Sequence, residues 1–333
     1  MPRESQLIAK ISRALSPRKG APPSLRLGIG DDAAVLSPNG RSEWVLSCDT
    51  FLENVHFRAK THPPASVGYK ALARASSDLA AMGATPRFFL LTLALPAARA
   101  SSWLDAFLRG MARAARELGV TIIGGDTTRS PLSFVSITVL GEIARGSALT
   151  RSGARPGDIL YVSGALGRAQ LGLQLVLRGH ARDRRLRALV QPHLYPKIRL
   201  ALGSWLARHR IASSAMDLSD GLSTDLARLC AASKVGAKIY ANKVPSVVIP
   251  AAAARVLGKR KLDPLQLALH GGDDYELLFT VPPHHVQKLT RASGAATLTP
   301  IGEITRGGKI LLVQGNQRET TLKPGGWDPF RRS

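Results

Sequence analysis

Six short segments hold most of the side chains that could do chemistry in this 333-residue chain. They are Gly28-Ile29-Gly30-Asp31-Asp32, Ser47-Cys48-Asp49-Thr50, Ser76-Ser77-Asp78, Gly124-Gly125-Asp126-Thr127, Asp217-Leu218-Ser219-Asp220-Gly221 and Gly271-Gly272-Asp273-Asp274-Tyr275-Glu276. Nine of the 15 aspartates fall in them. The chain as a whole is basic, with 46 Lys+Arg against 23 Asp+Glu, so the acids are concentrated rather than dispersed. Carboxylates brought together repel one another unless hard cations lie between them, and an all-oxygen ligand set suits Mg²⁺ rather than Zn²⁺ or Cu²⁺. The neighbouring glycines let backbone approach a ligand closely. One Gly-Asp pair is most often a turn; six in one chain point to a shared metal and phosphate site.

The elements that must position these residues alternate between strand and helix. Val45 to Ser47 read as a strand ending at Asp49, and Ser66 to Met82 as a helix stopped by Gly83 with Pro86 beyond. Phe88 to Leu95 and Phe134 to Ile143 read as strands. Ser102 to Leu118 read as an amphipathic helix with Ser102 as N-cap and Gly119 as terminator. Val120 to Ile123 form a strand that ends at Gly124, which places Asp126 beyond a strand end, where open α/β sheets bind ligands. After the turn-rich stretch 151–158 a second series begins with a strand at Ile159 to Val162. It continues with a helix after Gly167, a helix from Lys197 to Ala207 and a strand to Met216, with Asp217 at its end. Asp220 stands as N-cap of the next helix, and strands follow at Ala237 to Tyr240, Tyr275 to Val281 and around Leu312. The expected fold class is mixed α/β in two domains, 1–146 and 147–333.

Composition excludes several function classes. With 44% apolar and 21% charged residues the chain is an ordinary globular one. Only Cys48 and Cys230 occur, so there is neither a disulfide framework nor a Cys-rich zinc site. No apolar run approaches the roughly 20 residues of a membrane span, and the residues at Met1-Pro2-Arg3-Glu4-Ser5 lack a signal-peptide core. A reducing, cytoplasmic compartment and no membrane partner are expected. The net charge of +23 raises the question of nucleic acid, but the basic runs Arg178 to Arg187, Lys259-Arg260-Lys261 and Arg331-Arg332 follow no recognition motif. They read as solvated surface, with no specific nucleic-acid partner. There is no Gly-x-x-x-x-Gly-Lys-Ser/Thr loop and no protein-kinase catalytic loop. The turn Gly164-Ala165-Leu166-Gly167 is a weak phosphate signal.

From about Ser5 to Phe330 the chain resembles the thiamine-phosphate kinase family of the aminoimidazole-ribonucleotide synthetase-like superfamily. The resemblance is carried by the six segments and by Val55-His56-Phe57, Lys70-Ala71-Leu72-Ala73, Leu79-Ala80-Ala81-Met82-Gly83-Ala84 and Leu149-Thr150-Arg151-Ser152-Gly153. It implies the two-domain fold of that superfamily, a homodimer, and ATP-dependent phosphorylation of thiamine phosphate to thiamine diphosphate with several Mg²⁺ ions. It assigns Asp32, Ser47, Cys48, Asp49, Asp78, Asp126, Asp217 and Asp220 to metal, with Asp49, Asp78 and Asp126 acting in catalysis through it. It assigns Gly125, Asp126, Arg151 and Ser219 to the nucleotide, and His56, Asp273 and Trp327 to thiamine phosphate. Sister enzymes fit less well, since no reactive Cys precedes the first Gly-Asp segment as in selenophosphate synthetase.

Three positions depart from the family pattern. Cys48 stands where Thr is frequent; a thiol is a poor Mg²⁺ ligand, so a backbone oxygen is the expected donor there. Asp273 replaces a frequent Glu and reaches one methylene less far. Trp327 replaces aromatics such as Tyr and keeps a face for a cationic thiazolium ring.

Overall fold

A computed structural model describes residues 4–15, 24–37, 40–258, 262–292, 297–315 and 317–330. The basic runs Lys259-Arg260-Lys261 and Arg331-Arg332 lie outside the described residues. The first sheet has six strands, β1 (Leu25–Leu27), β2 (Ala34–Leu36), β3 (Ser42–Leu52), β4 (Thr85–Leu95), β5 (Thr121–Arg129) and β6 (Phe134–Ala144). Their order is β1-β2-β3-β6-β4-β5; only the β4–β5 pair is parallel. The second has seven, β7 (Ile159–Ser163), β8 (Ser214–Asp217), β9 (Gly236–Tyr240), β10 (Leu277–Val281), β11 (Leu298–Thr305), β12 (Ile310–Val313) and β13 (Glu319–Thr321), ordered β13-β12-β9-β11-β7-β10-β8. The helices are α1 (Glu4–Leu15), α2 (Pro64–Ala81), α3 (Ser102–Leu118), α4 (Arg168–Leu177), α5 (Arg187–Leu194), α6 (Leu200–Arg208), α7 (Leu222–Ser233), α8 (Ala251–Leu257), α9 (Pro264–His270) and α10 (Val286–Ala292). The fold is therefore mixed α/β, built on two mixed sheets, as expected from the alternation of elements.

The first sheet has two unlike faces. Along β6 buried and half-buried residues alternate strictly, the period of a strand with one face covered. Val45 and Phe51 of β3, Leu91 and Leu93 of β4, and Val135, Ile137 and Val139 of β6 form the covered face, against α2 and α3. On the other face Trp44 stacks on Phe88 with ring centroids 6.1 Å apart, and Leu36, Leu46 and Leu140 join them around a cavity of about 400 Å³.

Helix α2 is the hub. Small residues such as Ala71, Ala73, Ala75, Ala80 and Ala81 let it be buried on nearly every side. Against α3 the two backbones approach until a Cβ on Gly68 would lie 2.0 Å from the Phe107 carbonyl oxygen and one on Gly110 1.8 Å from that of Ala65. Against α6, a Cβ on Gly203 would lie 1.9 Å from the Ala80 oxygen. One hydrophobic core accordingly holds α2 and the first sheet together with Leu206, Ile211, Ala215, Leu277 and Phe279 of the second half. The helix starts at Pro64 rather than Ser66, because proline suits a first-turn position. Its stop at Gly83, with φ of 76°, is the expected one.

Two further expectations need correction. The N-cap position of α3 is Ser101 rather than Ser102. β5 does not end at Gly124 but runs through Gly125 and Asp126 to Arg129, paired in parallel with β4. A Cβ on Gly125 would lie 1.8 Å from the Leu91 carbonyl oxygen, so glycine is what lets the edge strand lie this close to β4. Asp126 is therefore inside an exposed strand, not beyond a strand end.

Candidate active site

Three carboxylates from three separate elements converge. Asp32 lies on the loop before β2, Asp78 on the last turn of α2 and Asp217 at the end of β8; one carboxylate oxygen from each lies within 4.8 Å of the others. Asp32 and Asp217 are buried. Burial first, and then the charges of Asp217, Asp49 and Asp32, push the Asp78 carboxyl well above its usual range. Burial and then Asp32 push Asp217 up to about 7. Asp32 Oδ2 has no hydrogen-bond partner. A buried carboxylate oxygen left bare, beside two more carboxylates, is costly unless a cation takes the position. The donor set is all oxygen and fits Mg²⁺.

The surroundings hold the cluster in place. The Ser47 hydroxyl donates to Asp78 Oδ2. Asp49, two residues on and on the same face of β3, receives Arg74 Nε at 2.7 Å and Nη2 at 3.2 Å. Arg151 joins the two halves: its guanidinium donates to Asp32 Oδ1 (2.7 Å from Nη2) and its backbone N–H donates to the Asp31 carboxylate at 3.1 Å. Past Leu46, β2 no longer pairs with β3, so the edge of β3 at Ser47 to Thr50 has β6 on one side only. Cys48 points to the opposite face from Ser47 and Asp49, its sulfur 3.3 Å from the Thr138 hydroxyl and 3.5 Å from that of Ser136.

The segments 217–221 and 271–276 are zipped together as a continuation of the β8–β10 pairing. Leu218 N–H donates to Glu276 O, Tyr275 N–H to Leu218 O and Asp273 N–H to Ser219 O. This pairing leaves each acid of Gly-Gly-Asp-Asp-Tyr-Glu a different task. Asp273 meets Lys70 Nζ at 2.7 Å and the Tyr275 hydroxyl at 2.8 Å. Asp274 accepts from Gly167 N–H at 2.5 Å and Ala169 N–H at 2.9 Å, capping α4. Glu276 accepts from Ser163 and from Arg199. The Gly167 and Ala169 amides thus already hold a carboxylate, and those of Gly164 and Leu166 donate to the Thr297 and Pro245 carbonyls, which removes the weak phosphate signal read at this turn.

Asp220 is not the N-cap of α7. That position is Gly221, with φ of 105°, while the Asp220 side chain pairs with Arg228 and its N–H donates to Asp225 at 3.0 Å. The C-terminal segment crosses this corner. Trp327 N–H donates to Asp220 O at 2.9 Å, Gly326 N–H to the Thr224 hydroxyl at 3.0 Å and Gly325 N–H to Ser223 at 3.1 Å. A Cβ on Gly326 would lie 1.9 Å from the Asp220 oxygen. The indole of Trp327 is left 47% exposed beside Asp220. His56 is half-buried; its Nδ1 accepts from Leu52 N–H at 3.0 Å. Burial and then Arg74 lower it to about 4, against Asp49 and Asp273.

Two expected residues do not join this group. Across the first sheet Asp49 is in register with Ile137, Leu91 and Gly125, three strand spacings or roughly 14 Å away. Asp126, one residue further, is in register with Thr92, Ser136 and Thr50 and shares the open face. Within one chain, Gly125 and Asp126 stand apart from the Asp32–Asp78–Asp217 cluster. Conversely, sequence reasoning assigned no role to Arg74 or Lys70. Their signal was present, since Lys70, Arg74 and Asp78 recur every four residues and so share one face of α2.

Residues 30–143 match the model for the AIR synthase related protein N-terminal domain, and residues 155–313 that for the AIR synthase related protein C-terminal domain. These two matches make the chain an AIR synthase related protein. Within that class, the chain is 36% identical over 307 residues to the thiamine-monophosphate kinase of Synechococcus elongatus, covering 90% of this chain and 91% of the relative. It is 38% identical over 312 residues to that of Escherichia coli strain K12, covering 92% of each. The solved structure of AaThiL complexed with AMPPCP and TMP superposes with a TM-score of 0.83 at 30% identity, covering 98% of this chain and 97% of that one. The chain belongs to the thiamine-monophosphate kinase family.

Proposed function

We propose that the protein transfers the γ-phosphoryl group of ATP to thiamine phosphate, giving thiamine diphosphate and ADP. The observation that carries the reading is the convergence of Asp32, Asp78 and Asp217, with a bare buried oxygen on Asp32, in a chain of this family. Asp32, Asp78 and Asp217, with Ser47 and Asp49 at the margin, would hold Mg²⁺, and Asp220, paired with Arg228, lies close enough for its charge to act on Asp217. When bound, Mg²⁺ supplies charge neutralisation to the triphosphate and its acceptor. The remaining work is positioning. Arg151, with Ser219 on the neighbouring segment, faces the nucleotide side, where a guanidinium can exchange its Asp32 contact for phosphate oxygens. His56, Asp273 and Trp327 define the acceptor side, with the exposed indole offering a face to a cationic ring. The acceptor phosphate, with a second pKa of about 6, is already anionic near neutral pH and needs no general base.

Residues 1–146 supply most of the metal side and residues 147–333 complete the nucleotide and acceptor sites. The same reading makes the protein a homodimer closed through the open face of the first sheet, supported by the Trp44–Phe88 stack and by Leu90, which is 37% exposed on that face, with Ile122 and Ile123 exposed on the edge strand β5. Such closure would carry Gly125 and Asp126 to a subunit boundary, and their nucleotide and metal roles belong with that assembly. No described helix is long and apolar enough to cross a membrane, and Cys48 and Cys230 are both unpaired. A cytoplasmic location belongs to the same reading. The test is incubation with ATP, Mg²⁺ and thiamine phosphate, with products resolved by chromatography. Equal amounts of thiamine diphosphate and ADP are expected, and free thiamine should be a poor acceptor. AMP as product, or faster phosphorylation of thiamine, would refute the assignment.

A further inference from the structure

Away from the carboxylate cluster, four ionisable side chains form one line through the interior. Lys70 of α2 is 2% exposed, and its Nζ lies 2.7 Å from Asp273 Oδ2 and 3.0 Å from His193 Nδ1. His193 of α5 is 1% exposed, and its Nε2 lies 3.1 Å from His62 Nε2. The His62 Nδ1 in turn lies 3.2 Å from the Arg58 carbonyl oxygen. Nothing in the phosphoryl-transfer reading uses Lys70, His193 or His62.

Proton positions along the line follow from donor and acceptor capacity. An ammonium has three donors and no acceptor, so His193 Nδ1 must accept and His193 carries its proton on Nε2. His62 Nε2 then accepts, which leaves the His62 proton on Nδ1, where Arg58 O and the Thr61 hydroxyl can accept it at 3.2 and 3.1 Å and the Arg58 N–H also points in at 3.2 Å. Both rings are neutral: burial and then the Lys70 charge push His193 well down and hold His62 at about 4. The line thus carries one positive charge, on Lys70, facing one negative charge, on Asp273. That carboxylate has little freedom left. Its residue sits at φ of 68° and Tyr275 at 49°, a region non-glycine residues rarely adopt, and its other oxygen accepts from the Tyr275 hydroxyl at 2.8 Å. The Asp273 side chain nevertheless keeps 30% of its surface open, enough to meet a ligand.

We propose that Lys70 is a positioning residue for the phosphate acceptor: buried between α2 and α5 and backed by the His193–His62 pair, it fixes the Asp273 carboxylate in one orientation from across the two halves of the chain. This rests on the reading of Asp273 as an acceptor contact. Lys70 itself is too buried to touch substrate, so its effect passes through Asp273. The two halves of the chain share this contact, since Lys70 belongs to the first and Asp273 and His193 to the second.

A double-mutant cycle on the full-length enzyme tests it. Lys70→Met removes the charge and keeps the length; the KM for thiamine phosphate should rise about tenfold or more, as for loss of a charged hydrogen-bond partner, with the ATP KM unchanged. Because the two groups act as a unit, Lys70→Met/Asp273→Asn should have no higher an acceptor KM than Asp273→Asn alone. Effects that multiply in the double variant, or equal rises in both KM values, would overturn the proposal. Should Lys70→Met not fold, His193 keeps the question open to measurement. His193→Gln, which offers Lys70 an oxygen, should hold the acceptor KM near wild type, and His193→Leu should raise it; equal effects would count against the proposal. Imidazole ¹⁵N spectra provide a readout independent of activity. His193 protonated at Nδ1 would refute the line even in an inactive protein, whereas a wild-type enzyme that makes no thiamine diphosphate would refute the kinase reading instead.

Discussion

At the scale of single residues, the clustered aspartates are costly as they stand and useful for the same reason. Burial, followed by Asp32, raises Asp217 from 3.8 to about 7. Between those two values the folded protein keeps a proton that the unfolded chain has released. The Asp217 contribution to stability must then fall as pH rises through that window. His56, His62 and His193, held below their usual range, act in the opposite sense, so the reading is the difference in EDTA melting midpoint between wild type and Asp217→Asn, which should shift against the wild type from about pH 5 to about pH 8. Added Mg²⁺ should reduce that shift, because it binds the deprotonated cluster. A difference that moves in favour of the wild type as pH rises in EDTA would mean that the three carboxylates are not close. The aspartates themselves were legible in the sequence because their glycine and serine neighbours set them apart. The cationic partners were not. Arg74, Arg151 and Lys70 are three among 46 basic residues, and only the fold shows which of them meet Asp49, Asp32 and Asp273.

At the scale of elements, α2 decides the geometry, since it carries Lys70, Arg74 and Asp78 on one face and packs on α3 and α6 with others. Gly110 gives a decisive substitution. Helix propensity alone makes Gly→Ala stabilising by about 1 kcal/mol. The added Cβ, however, would sit 1.8 Å from the Ala65 backbone oxygen, and forced overpacking costs about 1–3 kcal/mol. Gly110→Ala should lower stability in urea denaturation; a more stable variant would contradict the close α2–α3 crossing. Strong local signals read correctly, as with Gly83 and Gly119 ending α2 and α3. Errors arose where tertiary contact overrode local preference. β5 continues through two glycines because β4 pairs with it, and Asp220 leaves the N-cap because Arg228 holds its side chain. Asp274 caps α4 from more than a hundred residues away, which no local pattern could announce.

At the scale of the molecule, the proposed homodimer would cover the open face of the first sheet. Light scattering should give twice the chain mass for the wild type and a single chain for Phe88→Glu, which puts a charge against Trp44. A wild-type monomer at the same concentration would leave Asp126 without a place in the site. The central claim, that the Asp32–Asp78–Asp217 cluster holds Mg²⁺ for phosphoryl transfer, is tested most directly by paired thermal melts and turnover of wild type and Asp78→Asn. In EDTA the variant should melt no lower than wild type, and it can melt higher, because one of three repelling carboxylates is gone. With Mg²⁺ and ATP the order should invert, since only a protein that still binds them is stabilised, and turnover should fall by orders of magnitude. Asp49→Asn is the internal contrast: it strips Arg74 of its carboxylate partner and should melt lower even in EDTA. Wild-type turnover by Asp78→Asn, or unfolding of that variant in EDTA, would contradict the account.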